Sequence, residues 1–469
     1  MPSRPGPERV SYACWTRSVE PPPSLERVPS SATSSVPAAG RIVDRNGVTA
    51  RLQYGLGGED FRCGGGNAVK IVCVGGGPAG LYFSVLMKRR DPRHDITVLE
   101  RNPSGSTYGW GVTVWDDLLE TLRRNDPESG QTISDSVLRW QFQRVEVQGK
   151  QPMQTSGLGY SINRQRLLNI LTERARDLGV RVEFERPVMS MDELPEADLV
   201  VACDGVNSRI RELNSERFAT EVGTGRNKYV WLGTDKVFDA FTYAFVPTDF
   251  GWMWCYAYGN DGDNSTFIVE CPPEVWAGLG FDVMSAEDSL AALEKLFEHQ
   301  LDGHRLVHKF RNGGGLPWLN FRSLTNGSWH AGKTVLMGDS AHAISFSIGS
   351  GTTLAMEDAV ALAGQLQRHT ALHTAFEAYE RERKIKLRLL QSEASFSVRW
   401  FENISRYINL EPDQFFTLLR ERRSPLLPHM APLLYFRLHQ AMETAVLREL
   451  RRRVGPTARA LYSRRKVAQ

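Results

Sequence analysis

Nowhere in the 469 residues does an apolar run approach the roughly 18–20 positions that a membrane-crossing helix needs. Cysteine is scarce and scattered. The six are Cys14, Cys63, Cys73, Cys203, Cys255 and Cys271, and no two form a C-x-x-C pair. That excludes zinc and thioredoxin-type motifs of the usual spacing. Cys73 and Cys203 fall inside apolar segments and read as small core residues in a reducing compartment. No H-x-x-E-H cluster is present, so no metal is expected. Charge of neither sign dominates. The net charge of +3 is too small to argue for nucleic acid, and no basic stripe is interleaved with aromatics. These absences point away from nucleic acid and membrane as partners, and a cytoplasmic protein, monomer or homodimer, is the expectation. What remains is ordinary globular material, 41% hydrophobic and 24% charged, long enough for about two or three domains.

Residues 1–68 differ from the rest. They are rich in Pro, Ser, Gly and Arg and have almost no helical or strand period, so a disordered extension is expected. They lack the apolar region of a signal peptide, and their glutamates and prolines count against a transit peptide. A native start at Val69, from an alternative start codon, is a further expectation.

From Val69 to Gly80 the chain reads V-K-I-V-C-V-G-G-G-P-A-G. The apolar run reads as a short buried strand. Gly75, Gly77 and Gly80 then give the spacing G-x-G-x-x-G, and Leu81 to Arg89 read as a helix. Gly75 allows the tight turn, Gly77 lets backbone approach a pyrophosphate, and Gly80 lets helix and strand pack closely. The helix N-terminus offers free N–H groups to phosphates. A second strand from Asp95 ends in Glu100, twenty positions after Gly80, where an acid suits a ribose diol.

Further along, Gly109 and Gly111 bracket Trp110 and suggest backbone passing close to a ligand. A helix is expected over Leu118–Arg124. A second starts within Tyr160–Leu171, with Arg164 near its beginning, where a cation opposes the dipole unless an anion lies beside it. Leu199 to Cys203 read as a buried strand running into Asp204 and Gly205, which places Asp204 at the carboxyl edge of a sheet. Between about Asn227 and Cys271 the pattern turns to short strands. There Trp252, Trp254, Tyr256 and Tyr258 alternate with Met253, Cys255 and Ala257, so period two puts all four on one face, suited to an aromatic substrate or to packing. A third edge follows: a strand over Thr334–Met337, then Gly338 and Asp339, then Gly349 and Gly351 ahead of a helix over Leu354–Gln367. Beyond about residue 370 the chain reads as charged helices. Trp400, Phe401 and Tyr407 are expected to pack back on the core. Arg448, Arg451, Arg452 and Arg453 suit a solvated face or an acidic partner.

These motifs, in this order, resemble the single-component, class A, p-hydroxybenzoate hydroxylase-like FAD monooxygenases. The resemblance spans about residues 69–410. It implies that Gly75, Gly77, Pro78, Ala79 and Gly80 hold the FAD pyrophosphate and Glu100 the adenosine ribose. It further implies cofactor contacts at Arg101, Gly111, Arg164, Asp204, Gly205, Asp339, Gly349, Gly351 and Thr352. Family members usually carry a proline shortly after the G-D motif, and here Ser345, Phe346 and Ser347 stand in its place. With the stretches Tyr108–Val112, Gly225–Trp231 and Ser265–Cys271, this resembles the branch that includes salicylyl-CoA 5-hydroxylase, 2-aminobenzoyl-CoA monooxygenase and the violacein-pathway indole hydroxylase. After about Arg420 the likeness fades.

The fold so implied is α/β. It has a Rossmann-type FAD-binding domain over 69–225 and 326–368, an inserted, mostly antiparallel β substrate domain over 226–325, and a C-terminal helical region over 369–469. The implied reaction, in a secondary-metabolism setting, is hydroxylation of an electron-rich aromatic ring. NADH or NADPH reduces FAD, and O₂ then adds to the reduced flavin at C4a as a hydroperoxide. The substrate would be a small aromatic molecule, free or carried on CoA or a carrier protein. His342 and Phe346 would face it as catalytic residues, although a hydrogen-bonded structural role for His342 stays open. An FAD-dependent dehydrogenase or reductase, or a non-catalytic flavin-binding protein, is the alternative.

Overall fold

The computed structural model describes residues 68–107, 109–309 and 315–442. The expected disordered extension, Cys14, Cys63, Tyr108 and the arginines from Arg448 to Arg453 lie outside the described residues.

Two sheets carry the architecture. The first has six strands in the order His330–Ala331, Thr334–Leu336, Leu199–Ala202, Lys70–Val74, Asp95–Leu99 and Arg181–Glu183. The last five in that order pair in parallel, and His330–Ala331 joins as an antiparallel edge. Parallel strands are covered on both faces, which explains their continuous apolar character: Ile71, Cys73, Val98, Val201 and Leu336 are all buried. Helices Pro78–Arg90 and Gly351–Arg368 pack together against this sheet. Pro78 fills the first helical position, where a missing N–H is harmless, and Lys88, Arg89 and Arg90 in the last turn complement the dipole.

The second sheet has nine strands and is antiparallel except where Leu138–Val147 runs parallel to Phe241–Thr248. Strands Gly111–Val114, Leu138–Val147 and Met153–Asn163 belong to it, all of them before residue 226, where the substrate domain was expected to begin. Tyr160 to Asn163 therefore finish a strand, and the helix expected there starts only at Arg164. Asn163 caps that helix, its side chain accepting from the N–H groups of Gln165 and Arg166.

Period two sorts the second sheet's faces as expected. Met253, Cys255 and Ala257 pack with Phe267, Leu293 and Phe297 under helix Ala286–Leu296. Trp254 and Tyr256 pack on the other side, against the C-terminal helices Leu372–Glu402 and Pro412–Arg420. Trp400, Phe401 and Tyr407 are buried there, with Trp254 and Phe401 stacked at 5.7 Å and Trp400 and Tyr407 at 4.9 Å. Full burial of one such ring contributes roughly 1.5–3 kcal/mol. The layer therefore fixes the C-terminal helices firmly on the sheet.

Candidate functional site: a nucleotide cleft that opens into an aromatic cavity

Four strand ends of the parallel sheet meet at one edge, where ligands bind in open α/β sheets. Gly75 follows Lys70–Val74, Glu100 follows Asp95–Leu99, Asp204 follows Leu199–Ala202, and Asp339 follows Thr334–Leu336. They border a cleft of about 430 Å³. Gly77, Pro78, Ala79, Arg101, Arg164, Gly205, Gly351 and Thr352 line it too. Gly80 does not. A Cβ there would stand 2.3 Å from the Gly75 carbonyl and 2.6 Å from Cys203 Sγ, so its bareness serves the strand–helix contact.

The polar groups are set by local bonds. Glu100 Oε2 accepts from the Gly76 N–H at 2.8 Å, tying the glycine turn to the second strand. Its Oε1 accepts from the backbone and side chain of Asn102. Asp204 Oδ2 accepts from the N–H groups of Arg209 and Ile210 at 2.7 and 3.2 Å, while its buried Oδ1 has no donor among the described residues. Burial pushes the Asp204 carboxyl up against the pull of those N–H groups. Asp339 projects into the cleft, and the crowding protein pushes its carboxyl up, opposed by the charges of His342 and Arg164. Burial lowers Arg164, with Asp339 and Glu100 working the other way. Arg164 Nε donates to Thr107 Oγ1 at 3.0 Å.

Beside the cleft lies a cavity of about 250 Å³ beneath the second sheet. Its wall is aromatic: Trp140, Phe241, Tyr243, Tyr256, Tyr258 and Phe346. Phe241 and Tyr258 stack at 5.2 Å, and Phe346 meets Phe321, Tyr229 and Tyr256 at 4.5–5.5 Å. Gly111, Gly349 and the indole of Trp231 also line it, and the buried Trp231 N–H has no acceptor among the described residues. Arg164, Asp339, Gly351 and Thr352 border both spaces, so cleft and cavity meet.

Residues 68–391 match a protein-family model described as an FAD binding domain. Salicyloyl-CoA 5-hydroxylase of a Streptomyces species is 38% identical over 359 residues, 74% of this chain and 68% of that protein. The chain belongs to the FAD-dependent aromatic monooxygenases. Protodeoxyviolaceinate monooxygenase of Chromobacterium violaceum is 33% identical over 368 residues, 77% of this chain and 96% of that protein. Among solved structures, 2-methyl-3-hydroxypyridine-5-carboxylic acid oxygenase superposes with a TM-score of 0.60 over 78% of this chain and 98% of that one. At 18% identity that likeness speaks for the fold alone.

FAD fits the monooxygenase's cleft on three observations. Gly77, Gly205 and Gly351 present open space where a Cβ would stand. The first turn of Pro78–Arg90 has no side-chain cap, which leaves its N–H groups for phosphate. Asp204 Oδ1 still lacks a donor.

Several expectations need correction. His342 lines neither space. Its Nε2 lies 2.6 Å from Asp358 Oδ2, and its ring stacks on Trp329 at 5.2 Å. A buried carboxylate has captured the imidazole, so the structural alternative describes it. Gly109 and Gly111 also have protein neighbours that require them bare, since added Cβ atoms would stand 2.7 Å from the Trp231 ring and 2.3 Å from Asn260 Cβ, while Gly111 still lines the cavity. The helix expected from Leu354 already begins at Gly351, which puts Gly351 and Thr352 in its first turn. Sequence reading also missed Arg422 and Arg423, which reach the cavity from just beyond helix Pro412–Arg420.

It missed Glu270 as well. This carboxyl is 1% exposed, accepts from Tyr256 Oη at 2.6 Å and from Asn227 Nδ2 at 2.8 Å, and Trp254 Nε1 in turn donates to Tyr256 Oη at 3.1 Å. Burial pushes it up to about 7, although those donors favour the charged form. A folded-state value above the unfolded 4.5 means that the native protein loses stability as pH rises from about 4.5 through 7. Glu270→Gln abolishes that titration. Across this window the variant should therefore gain on the order of 3 kcal/mol relative to the native chain. Urea midpoints from pH 4.5 to 8 check this, and a difference that stays flat with pH would count against it.

Proposed function

We propose that this monooxygenase hydroxylates an electron-rich aromatic ring, with FAD as cofactor, NADH or NADPH as electron donor and O₂ as oxidant. The observation that carries the reading is the junction. Arg164, Asp339, Gly351 and Thr352 border both the nucleotide cleft and the aromatic cavity, so one elongated cofactor can reach from the glycine turn to the substrate wall. In this reading residues 69–225 and 326–368 supply the cofactor domain. Residues 226–325, joined by the strands of 111–163, supply the substrate sheet.

Bound FAD supplies the electron transfer and the activation of O₂. The chain's own residues bind and position. Gly75, Gly77 and Gly80 shape the pyrophosphate turn, Glu100 suits the ribose, and Asp204 and Asp339 stand along the cofactor's path. The N-terminus of helix Gly351–Arg368 lacks a side-chain cap, so its N–H groups suit negative charge at the junction. The rings around Phe346 exclude water and offer flat faces to a substrate.

The test is turnover under ¹⁸O₂ with the FAD-loaded protein and NAD(P)H. One panel holds hydroxy- and aminobenzoyl-CoA thioesters with their free acids, and the other holds indoles. The expected result is one labelled oxygen on the product ring and NAD(P)H oxidation stimulated by that substrate. An oxidised or reduced product without label would move the protein to the dehydrogenase reading.

A further inference from the structure

The aromatic cavity has a charged side that its aromatic wall does not explain. Arg422 and Arg423 both line it. Arg422 is held by neutral partners: Nη2 donates to the Ser347 carbonyl at 3.1 Å and Tyr243 Oη at 3.3 Å, Nη1 to the Leu419 carbonyl at 2.9 Å, and Nε to Ser397 Oγ at 3.2 Å. Its guanidinium also stands 5.8 Å from the Tyr243 ring and 6.0 Å from that of Phe401, at the outer reach of cation–π attraction. No carboxylate is among these contacts. Arg423 has one acid nearby, Glu393, at a loose 3.8 Å, and donates to the Ile348 carbonyl at 3.4 Å. Burial first, and the charge of Arg422 second, lower Arg423 from its ordinary value.

Two adjacent, partly buried cations, the Arg423 side chain 37% exposed, repel one another, and among the described residues Glu393 is the one acid paired with either. The bonds to Ser347, Leu419 and Ser397 fix the Arg422 fork in place. With the bond to Tyr243 Oη these take four of its five N–H groups, so Arg422 offers an oxyanion a positioned charge and one remaining Nη1 N–H, and Arg423 beside it supplies further N–H donors. Among the described residues Asp339 is the one carboxylate in the cavity lining, and it sits at the junction with the cleft. An oxyanion on a ligand would balance this charge.

We propose that Arg422 and Arg423 form an anion subsite of the substrate cavity, and that the aromatic substrate carries an oxyanion which they hold while its ring lies on the aromatic wall. The anion is either a carboxylate on the ring or a phosphate of a carrier such as CoA. The inference rests on the reading of this cavity as the substrate site and narrows it to charged rings.

The test is an anaerobic titration of the FAD-loaded protein, read by the flavin absorbance change. The probes are 2-hydroxybenzoate, its neutral isostere 2-hydroxybenzamide, and the 2-hydroxybenzoyl thioesters of CoA and of phosphate-free pantetheine. For a ring carboxylate, the acid should bind at least tenfold tighter than the amide. For a carrier phosphate, the CoA thioester should exceed the pantetheine thioester by a similar factor. In either case Arg422→Gln and Arg423→Gln should bring the ratio close to one, with amide or pantetheine-thioester affinity changed less than twofold. Arg422→Lys should retain part of it.

Equal binding within both pairs would overturn the proposal. So would ratios that survive in both glutamine variants, or probes that all leave the flavin unperturbed. Flavin content and thermal unfolding of each variant separate misfolding from a lost subsite. Because no turnover is involved, the outcome is independent of the label experiment. A protein that binds charged rings but incorporates no ¹⁸O keeps the subsite and loses the hydroxylase reading, and the reverse pattern does the opposite.

Discussion

Asp358→Ala should destabilise the FAD-free protein by about 3–5 kcal/mol, the range for breaking a buried ion pair by removing one partner. Asp358 is fully buried, and its two oxygens serve three groups. Oδ1 accepts from Arg383 Nε at 2.5 Å, and Oδ2 accepts from the Gly338 N–H at 2.9 Å and faces His342 Nε2 at 2.6 Å. Burial works against its charge, but His342 and Arg383 outweigh that and hold the carboxyl below its ordinary value. The stability that it contributes is therefore present above the usual carboxylate range and lost as pH falls through the lowered one. Alanine would leave Arg383, 1% exposed, with Glu357 at 3.0 Å as its remaining acid, and would orphan the Gly338 N–H. That N–H anchors the turn at Gly338, φ +67°, from which Asp339 enters the cleft. Weakened FAD retention should accompany the lost stability. Urea denaturation measures the first effect and flavin fluorescence the second. The double variant Asp358→Leu with Arg383→Met decides the cause: removing both charges should recover most of the loss. A single-variant loss under about 1 kcal/mol would show that Glu357 and water compensate for the missing carboxylate.

The parts of this site that were legible in the sequence are those that local sterics dictate. A glycine turn between an apolar strand and a helix allows few conformations, so the run from Val69 to Gly80 announced its geometry, and Glu100 came with it through the length of one βαβ unit. The alternation from Trp252 to Tyr258 gave the correct face. It could not say that Tyr256 and Tyr258 border the cavity while Trp254 packs on Phe401, because that depends on a helix that begins more than 110 residues further along the sequence. Non-local pairing hid the rest. Strand Gly111–Val114 finds its partner in Met153–Asn163, and Leu138–Val147 lies parallel to Phe241–Thr248, so the second sheet takes strands from both sides of residue 226. The resemblance put His342 beside the substrate and left a structural role open, and the acid that holds it sits sixteen residues on, inside the next helix. Arg422 and Arg423 stand in a run of charges that reads as a solvated helix end, and only the tertiary fold turns them toward the cavity.

Gly75→Ala should yield protein without bound flavin, and Gly77→Ala should yield folded protein with weakened flavin binding. The contrast follows from where the two Cβ atoms would go. Gly75 has φ +116°, a backbone region closed to most side chains, and its Cβ would stand 2.3 Å from the Cys203 carbonyl oxygen and 2.6 Å from that carbonyl's carbon. Neither atom can move alone. Cys203 directly follows the strand Leu199–Ala202, and its N–H donates to the Val74 carbonyl at 2.9 Å. Relief requires the two central strands to part at the edge that carries the site. Backbone strain alone costs of order 1–3 kcal/mol, and the steric overlap adds to it. Gly77 has an ordinary φ of −76°, and its Cβ would meet nothing within 4 Å. The added methyl enters the cleft where a pyrophosphate would approach the helix N-terminus, so the fold tolerates it and the ligand does not. Circular dichroism and thermal unfolding of the flavin-free proteins should separate Gly75→Ala from the native chain while leaving Gly77→Ala close to it. Titration with FAD should then show at least a tenfold loss for Gly77→Ala. Native FAD affinity in Gly77→Ala would place the pyrophosphate elsewhere in the cleft, and a native melting curve for Gly75→Ala would mean that the strand edge yields more readily than its hydrogen bonds suggest.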